Sequence, residues 1–454
     1  MEQYHHYIPR FLLRNFAIDK YERIFESNIN QQKRKGQKKN KGPNKQKKKR
    51  QRKAELLQTY DREKDQLGVS LISKTYGNPN MYKDINNEDA MHVEEKLSKL
   101  EKRASETIRN IVKTSQMENQ VVLFRRDLED LRKFIFIMNY RNGQRCFQYT
   151  NDIFDRPTKS MVKAFMHQHN LQRPAEVWLQ NIREILDTPY SEVKDNQKIF
   201  YLDREDFKQR MIDSFLIIWQ AGENDEFIIT NNGFGIFEGV NGVVFGELPF
   251  QYAYHSFYVI SPKLILVLCP SAFRKEVGTD HLYKHFGQRS IFDHVPHPAA
   301  IPKYVGKVKA SCSKPNNEHS QLKYDGTDPF ELQAHLLKMS LYDQGIEMQS
   351  NDTFTFPFVK LNSATVRLIN FVLLNEVKPD LVLTFLSLPY LYKTIVKYHN
   401  DKFVVQQDFS NLKKKLFTTL NRTHKDDLHL RKDIPVGRTF SWKVREMNQI
   451  PDQY

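Results

Sequence analysis

The chemistry of this chain is concentrated at its start, in His5-His6-Tyr7-Ile8-Pro9-Arg10-Phe11-Leu12-Leu13-Arg14-Asn15-Phe16, and in three charged residues farther on, Glu94, Glu101 and Arg141. Imidazoles titrate near neutral pH and serve as acids, bases or metal ligands. A guanidinium is a planar fork that fits a carboxylate or a phosphate in bidentate fashion, which a lysine does not reproduce. His6, Arg14, Glu94, Glu101 and Arg141, with Asn231 as a further polar member, therefore form the candidate site. Brought together, they suffice for acid–base hydrolysis of a nucleic acid or a phosphorylated small molecule. They equally suffice for a buried structural ion-pair network in a binding or scaffold protein.

The elements that must position these residues follow from the apolar pattern. Pro9 lacks an amide donor and biases Ile8 to an extended conformation, so a helix begins only at about Pro9, and Phe11, Leu12, Leu13 and Phe16 bury the segment. Asn86-Asn87 cap a helix that runs to about Thr114, with a stripe of Val93, Leu97, Leu100, Ala104, Ile108 and Ile111 at steps of three and four. Glu94 and Glu101 lie two turns apart and share one edge of that stripe. A second helix is expected from about Met117 to Tyr140, with Phe124, Leu128, Leu131, Ile135 and Met138 inward. Three residues further along the same stripe is Arg141, a core-facing charge that needs Glu94 or Glu101 as partner.

The helical pattern continues from Asn151 to Gln220, broken at Pro157, Pro174 and Pro189, and closes with Phe207, Met211, Phe215 and Trp219 recurring at four. The period then changes. Phe227–Thr230, Gly235–Phe237, Tyr252–Ile260, Lys263–Cys269 and Phe354–Leu361 read as antiparallel strands, and Ser363–Glu376 as a helix. Tyr21–Glu26 and Leu56–Tyr60 read as the two strands of a hairpin interrupted by a basic insertion at residues 27–54. Residues 1–400 are expected to form a single domain, followed by a loosely packed polar tail at 401–454. The fold class expected is α+β, a helical N-terminal half packed against a mostly antiparallel β-sheet from the C-terminal half.

The formal net charge is +16, yet Lys33, Arg34, Lys35, Lys38, Lys39, Lys41, Lys45, Lys47, Lys48, Lys49, Arg50, Arg52 and Lys53 supply 13 of it with no acid between them, which leaves +3 for the rest. The segment is too polar to order itself and reads as a disordered import signal, an arm for nucleic acid, or a solubilising loop. The partners expected are thus nucleic acid or an import receptor through residues 33–53. With no apolar run of about 18 residues and no apolar leader, no membrane partner is expected, and the localisation is nucleus or cytoplasm. Cys146, Cys269 and Cys312 match no zinc or redox spacing and read as reduced packing residues. His281, His285, His294 and His297 have usable intervals but no rigid helix to hold them, so they read as surface histidines. No metal and no cofactor are expected. Nucleophile-elbow hydrolases, phosphate-loop enzymes and kinases are excluded by the absence of their motifs.

Taken together, the opening His5–Phe16 motif, Val93-Glu94-Glu95-Lys96-Leu97-Ser98-Lys99-Leu100-Glu101, Arg141-Asn142 and Phe227-Ile228-Ile229-Thr230-Asn231-Asn232 resemble the domain of unknown function 4238 (DUF4238) family, most closely its fungal branch. The resemblance spans roughly residues 5 to 400 and implies no assigned activity. Many members carry Ser-Asp-Asn-Pro where this chain has Thr230-Asn231-Asn232-Gly233, so a carboxylate role at position 231 is lost here.

Overall fold

The computed structural model describes residues 4–18, 55–79, 92–142, 144–244, 248–273, 290–292, 294–306, 347–376, 381–401 and 407–427. The chain opens with strand β1 (Tyr4–His6), which reaches Pro9 and the short helix Arg10–Leu13. Ile8, Leu12, Leu13 and Phe16 are buried, so the expected anchoring of the N-terminus holds. Strands β2 (Leu56–Asp61) and β3 (Gln66–Leu71) form a hairpin, and β4 (Gly77–Pro79) turns back to pair antiparallel with β1. The partners of β2 are therefore β3 and, later, the strand at Val382–Phe385. Tyr21–Glu26, the strand expected to complete its hairpin, lies outside the described residues, as does the whole of residues 27–54.

The His92–Thr114 helix buries the stripe read from the sequence, with Val93, Leu97, Leu100, Ala104, Ile108 and Ile111 all in the core. The next segment departs from expectation. Gln120–Phe124 is a strand, β5, whose residues alternate in and out, so Phe124 points outward and is 40% exposed. The helix begins only at Arg125 and runs to Asn142, with Leu128, Leu131, Ile135 and Met138 inward as expected. Pro157 and Pro174 start helices rather than interrupt one: Arg156–Gln168, capped by the Asp155 side chain on the Thr158 amide, and Pro174–Asp187. A proline in the first turn lacks only a donor that has no intrahelical partner there.

The Tyr201–Phe207 helix passes through a π turn, Lys208–Ile212, and gives way to strand β6 (Ser214–Gln220). Phe215 and Trp219 thus lie on a strand, not on the helix that their spacing of four suggested. β6 is buried on both faces between neighbours, and such a strand reads as a continuous apolar run that periodicity cannot tell from a buried helix. After the short β7 (Ile229–Thr230), strands β8 (Phe234–Val244), β9 (Leu248–Ser261) and β10 (Leu264–Pro270) form a meander. With β11 (Ile301–Lys303) and β12 (Thr353–Lys360) they build a seven-stranded sheet among the described residues, in the order β11-β12-β6-β10-β9-β8 with β5 also on β12. Every pairing is antiparallel except β12 with β6.

The Ser363–Asn375 helix, strand β13 (Val382–Phe385) and the Leu388–His399 helix follow, and β13 joins β2 and β7 in a smaller sheet. The fold is α+β, with most of its large sheet drawn from the second half, although β5 and β6 come from the first. The polar region beyond 401 is not uniformly loose: Ser410–Asp427 is a helix that buries Leu412 and Leu416 next to Phe409.

A polar knot locks the helical half. Asp203, 0% exposed, accepts hydrogen bonds at Oδ2 from the hydroxyls of Tyr140 (3.0 Å) and Tyr149 (2.5 Å) and from the Asn181 amide (2.8 Å). Its other oxygen faces Arg145 Nε at 3.3 Å. Burial nevertheless lifts the Asp203 pKa, against the pull of Arg145 and the two tyrosines. Four elements thereby meet on a carboxylate whose charge is costly to hold.

Candidate functional site

β1 alternates as a strand must, and this decides which histidine faces inward. His5 is 7% exposed and its Nδ1 lies 3.0 Å from Glu94 Oε2. His6 points the other way, half-buried, and its Nδ1 donates to the Thr75 carbonyl at 3.0 Å. Burial lowers the His6 pKa, and the charges of Arg10 and Arg141 press it down further against Thr75 and Glu94. Gly77 makes this placement possible. It sits opposite His6 in the β1–β4 register, and a Cβ there would lie 2.6 Å from the His5 carbonyl oxygen and 2.5 Å from the Tyr4 ring.

Arg141 emerges at the end of its helix where the extended stripe placed it, 1% exposed. One guanidinium nitrogen lies 3.1 Å from Glu101 Oε1, and the other donates to the Tyr7 carbonyl at 3.1 Å. Arg141 therefore ties the His92–Thr114 helix to the N-terminal motif. Burial raises the Glu101 pKa, and the nearby Glu94 adds to that rise, in opposition to Arg141. The face is not sealed, since the side chains of Glu94 and Glu101 keep 33% and 28% of their exposure.

Two of the residues read from the sequence lie in other surroundings. Arg14 is half-exposed and its Nε donates to Glu55 Oε1 at 2.7 Å, with Arg10 on the other oxygen of the same carboxylate. It begins a 3-10 turn, and its carboxylate partner is Glu55 rather than Glu94 or Glu101. Asn231 is buried at the β7–β13 corner, where its amide donates to Val382 at 3.1 Å. That corner meets the motif through Tyr76, whose ring packs edge-on against Tyr7 and whose hydroxyl reaches Thr384 Oγ1 at 2.8 Å. His5, which the sequence reading had left outside the site in favour of its neighbour, takes the inward position.

The N-terminal motif, the Glu94–Glu101 helix edge, Arg141 and the buried Asn231 corner are thus parts of one folded arrangement. The chain belongs to the family described as protein of unknown function (DUF4238). The match extends over residues 4–377 and so includes every member of this cluster. No curated protein and no solved structure matches the chain. No helix among the described residues of this DUF4238 chain is long and apolar enough to cross a membrane.

A second cluster went unread in the sequence. His255 on β9 donates through Nδ1 to Glu238 Oε2 (2.9 Å), and its Nε2 faces His297 Nε2 at 2.6 Å. Cys269 on β10 completes a trio whose ligand atoms lie within 4.8 Å of one another. Burial, and then His255, push the His297 pKa down to about 4, which keeps that imidazole neutral at pH 7. Burial and Glu238 push the Cys269 thiol up. His297 is therefore not the surface histidine its loop suggested. His294 is exposed, while His281, His285 and Cys312 lie outside the described residues. Only the strand register brings Glu238 and His255 together, so no sequence spacing reveals this group.

Proposed function

We propose that the protein is a ligand-binding protein whose site is the open face of Glu94 and Glu101, with His5 and Arg141 as the buried groups that hold the carboxylates in place and His6 nearby on the other side of its strand. One observation carries this reading, the asymmetry of the cluster: His5 and Arg141 are 7% and 1% exposed, whereas the Glu94 and Glu101 side chains keep 33% and 28%. Inner atoms that are pinned and outer atoms that are open describe a preorganised receptor. Two carboxylates outnumber the single guanidinium, and the lowered His6 pKa favours a neutral imidazole. The face therefore suits a ligand that presents a cation or several N–H donors, and it disfavours a phosphate.

The test is thermal denaturation and calorimetric titration with spermidine and argininamide as probes. A ligand at a hundred times its dissociation constant stabilises the native state by about 2.7 kcal/mol. The midpoint is expected to rise with at least one probe, and the rise to vanish in Glu101→Gln. No effect from either probe, or an undiminished effect in Glu101→Gln, would contradict the assignment.

The raised Glu101 pKa supports a second reading, a hydrolase-type enzyme in which Glu101 acts as acid or base beside Arg141. Composition alone supports a further role for residues 33–53, as a nucleic-acid tether or an import signal in the nucleus or cytoplasm. Within the family we place the chain in the fungal branch, on the motifs quoted above, and we treat residues 1–400 as one domain.

A further inference from the structure

We infer that His255, Cys269 and His297 form a binding site for a divalent transition-metal ion of the zinc type, with Glu238 as the carboxylate that orients His255. The sheet delivers the parts. Glu238 on β8 stands opposite His255 on β9 in the register. On the other side of β9, Ser256 pairs with Leu268, so one further step along the same antiparallel ladder sets Cys269 beside His255. Residues opposite one another share a face, with Cβ atoms about 4.5–5.5 Å apart. A carboxylate, an imidazole and a thiol thus stand in a row across three adjacent strands, and His297 comes in from a loop to face them.

The hydrogen bonds argue for a ligand rather than a packing histidine pair. Glu238 also accepts from Ser290 Oγ (3.0 Å) and from the Ile291 amide (3.2 Å), which fixes the carboxylate. A fixed carboxylate at His255 Nδ1 keeps the proton on that nitrogen and turns a lone pair outward at Nε2. His297 has a backbone partner at Val295, and with Nε2 turned to His255 that contact falls to its Nδ1 side. Both imidazoles then aim Nε2 lone pairs at one point, 2.6 Å apart, with the Cys269 sulfur within reach. A shared cation resolves that opposition. Trp219 and Phe292 pack against the His255 ring at centroid distances of 5.4 Å, an apolar shell of the kind that surrounds metal centres.

The donor chemistry selects the metal. Two nitrogens and one sulfur suit zinc, with bonds of about 2.0 and 2.3 Å that put tetrahedral donors roughly 3.3 to 3.7 Å apart, so small side-chain adjustments close the trio. Three protein donors leave the fourth position to water or to a ligand, on the side where His297 is only half-buried. On binding, the Cys269 S–H bond breaks, the sulfur forms the metal bond with the electron pair it retains, and the proton passes to solvent. Affinity therefore rises with pH. This site is independent of the His5–Arg141 cluster, and neither assignment rests on the other.

Metal-free full-length protein is to be titrated with Zn²⁺ alone and with Co²⁺ alone, following stoichiometry by equilibrium dialysis and the thiolate-to-cobalt charge-transfer band by absorbance. One equivalent per chain is expected, with the band lost in Cys269→Ser. Because Cys269 is fully buried, His297→Ala is the second variant: it changes a loop residue, should keep the wild-type circular dichroism, and should bind at least about tenfold more weakly. Glu238→Gln should weaken binding by about 10- to 100-fold at unchanged stoichiometry. The site is overturned if folded wild type takes up no stoichiometric metal, if His297→Ala binds as tightly as wild type, or if the band survives in Cys269→Ser. Stoichiometric uptake of Co²⁺ with no uptake of Zn²⁺ would overturn the assignment to zinc.

Discussion

Arg141→Ala is expected to lower the free energy of unfolding by about 3 kcal/mol. Removing one member of a buried ion pair commonly costs about 3–5 kcal/mol, because the partner charge is left without compensation. The lower end applies here because Glu101 keeps 28% of its side-chain exposure and can take up a proton more readily than an ordinary glutamate. The variant also strips the Tyr7 carbonyl of its guanidinium donor and empties a side chain's volume at a position 1% exposed. Arg141→Lys should recover little, since one ammonium cannot hold Glu101 and the Tyr7 carbonyl in the same fork. Urea denaturation checks both variants: the midpoint should fall with an unchanged slope, and an Arg141→Ala midpoint within error of wild type would count against the buried pair.

Asp203→Ala should do more damage, about 4 to 5 kcal/mol. Asp203 is 0% exposed and accepts from two tyrosine hydroxyls and an asparagine amide, so its loss takes the carboxylate acceptor from three buried groups, of which the Asn181 amide keeps the Tyr140 hydroxyl oxygen at 2.9 Å. Arg145 is the least affected partner because its side chain keeps 30% exposure and can turn to water. Asp203→Asn conserves the volume and an acceptor oxygen, and its lack of charge removes a desolvation cost that already raises the aspartate's pKa. It should therefore recover about half of the loss. If Asp203→Asn were as unstable as Asp203→Ala, the ionic contact with Arg145, not the tyrosine and amide hydrogen bonds, would be what the knot supplies.

Arg141 was legible in the sequence because the 3.6 period of its helix persists from Leu128 through Met138, and extrapolation by three residues is safe inside a regular element. The same stripe misled at its other end. Phe124 fits the spacing, but Gln120–Phe124 pairs with β12 as a strand, a long-range partnership that local spacing does not encode. Phe215 and Trp219 failed for a related reason, because a doubly buried strand is apolar throughout and satisfies a helical count by accident. The exchange of His6 for His5 as the inward histidine followed from β1 being a strand three residues long, too short for its alternation to be read. His255, Cys269 and Glu238 were beyond the sequence altogether, since cross-strand register is what makes them neighbours. Helix faces were readable, while the Asn86-Asn87 cap lies outside the described residues. Positions fixed by strand pairing were not readable.

The central claim is that Glu101 is an open, preorganised site carboxylate held beside Arg141 at some expense, not a group that stabilises the fold as an ordinary ion-pair partner does. Its raised pKa has a definite consequence for stability. An acid whose folded pKa exceeds its unfolded value holds its proton more tightly in the native state, so the native state gains at low pH. That gain is lost as pH rises from the ordinary glutamate value of about 4.3 through the raised folded value. Glu101→Gln does not titrate and serves as the reference. The decisive measurement is the urea unfolding free energy of wild type and Glu101→Gln at half-unit steps from about pH 4 to about pH 7. The wild-type value minus the variant value is expected to fall as pH rises across that range. A difference that instead climbs with pH, as a carboxylate with a depressed pKa in a stabilising ion pair produces, would contradict the claim.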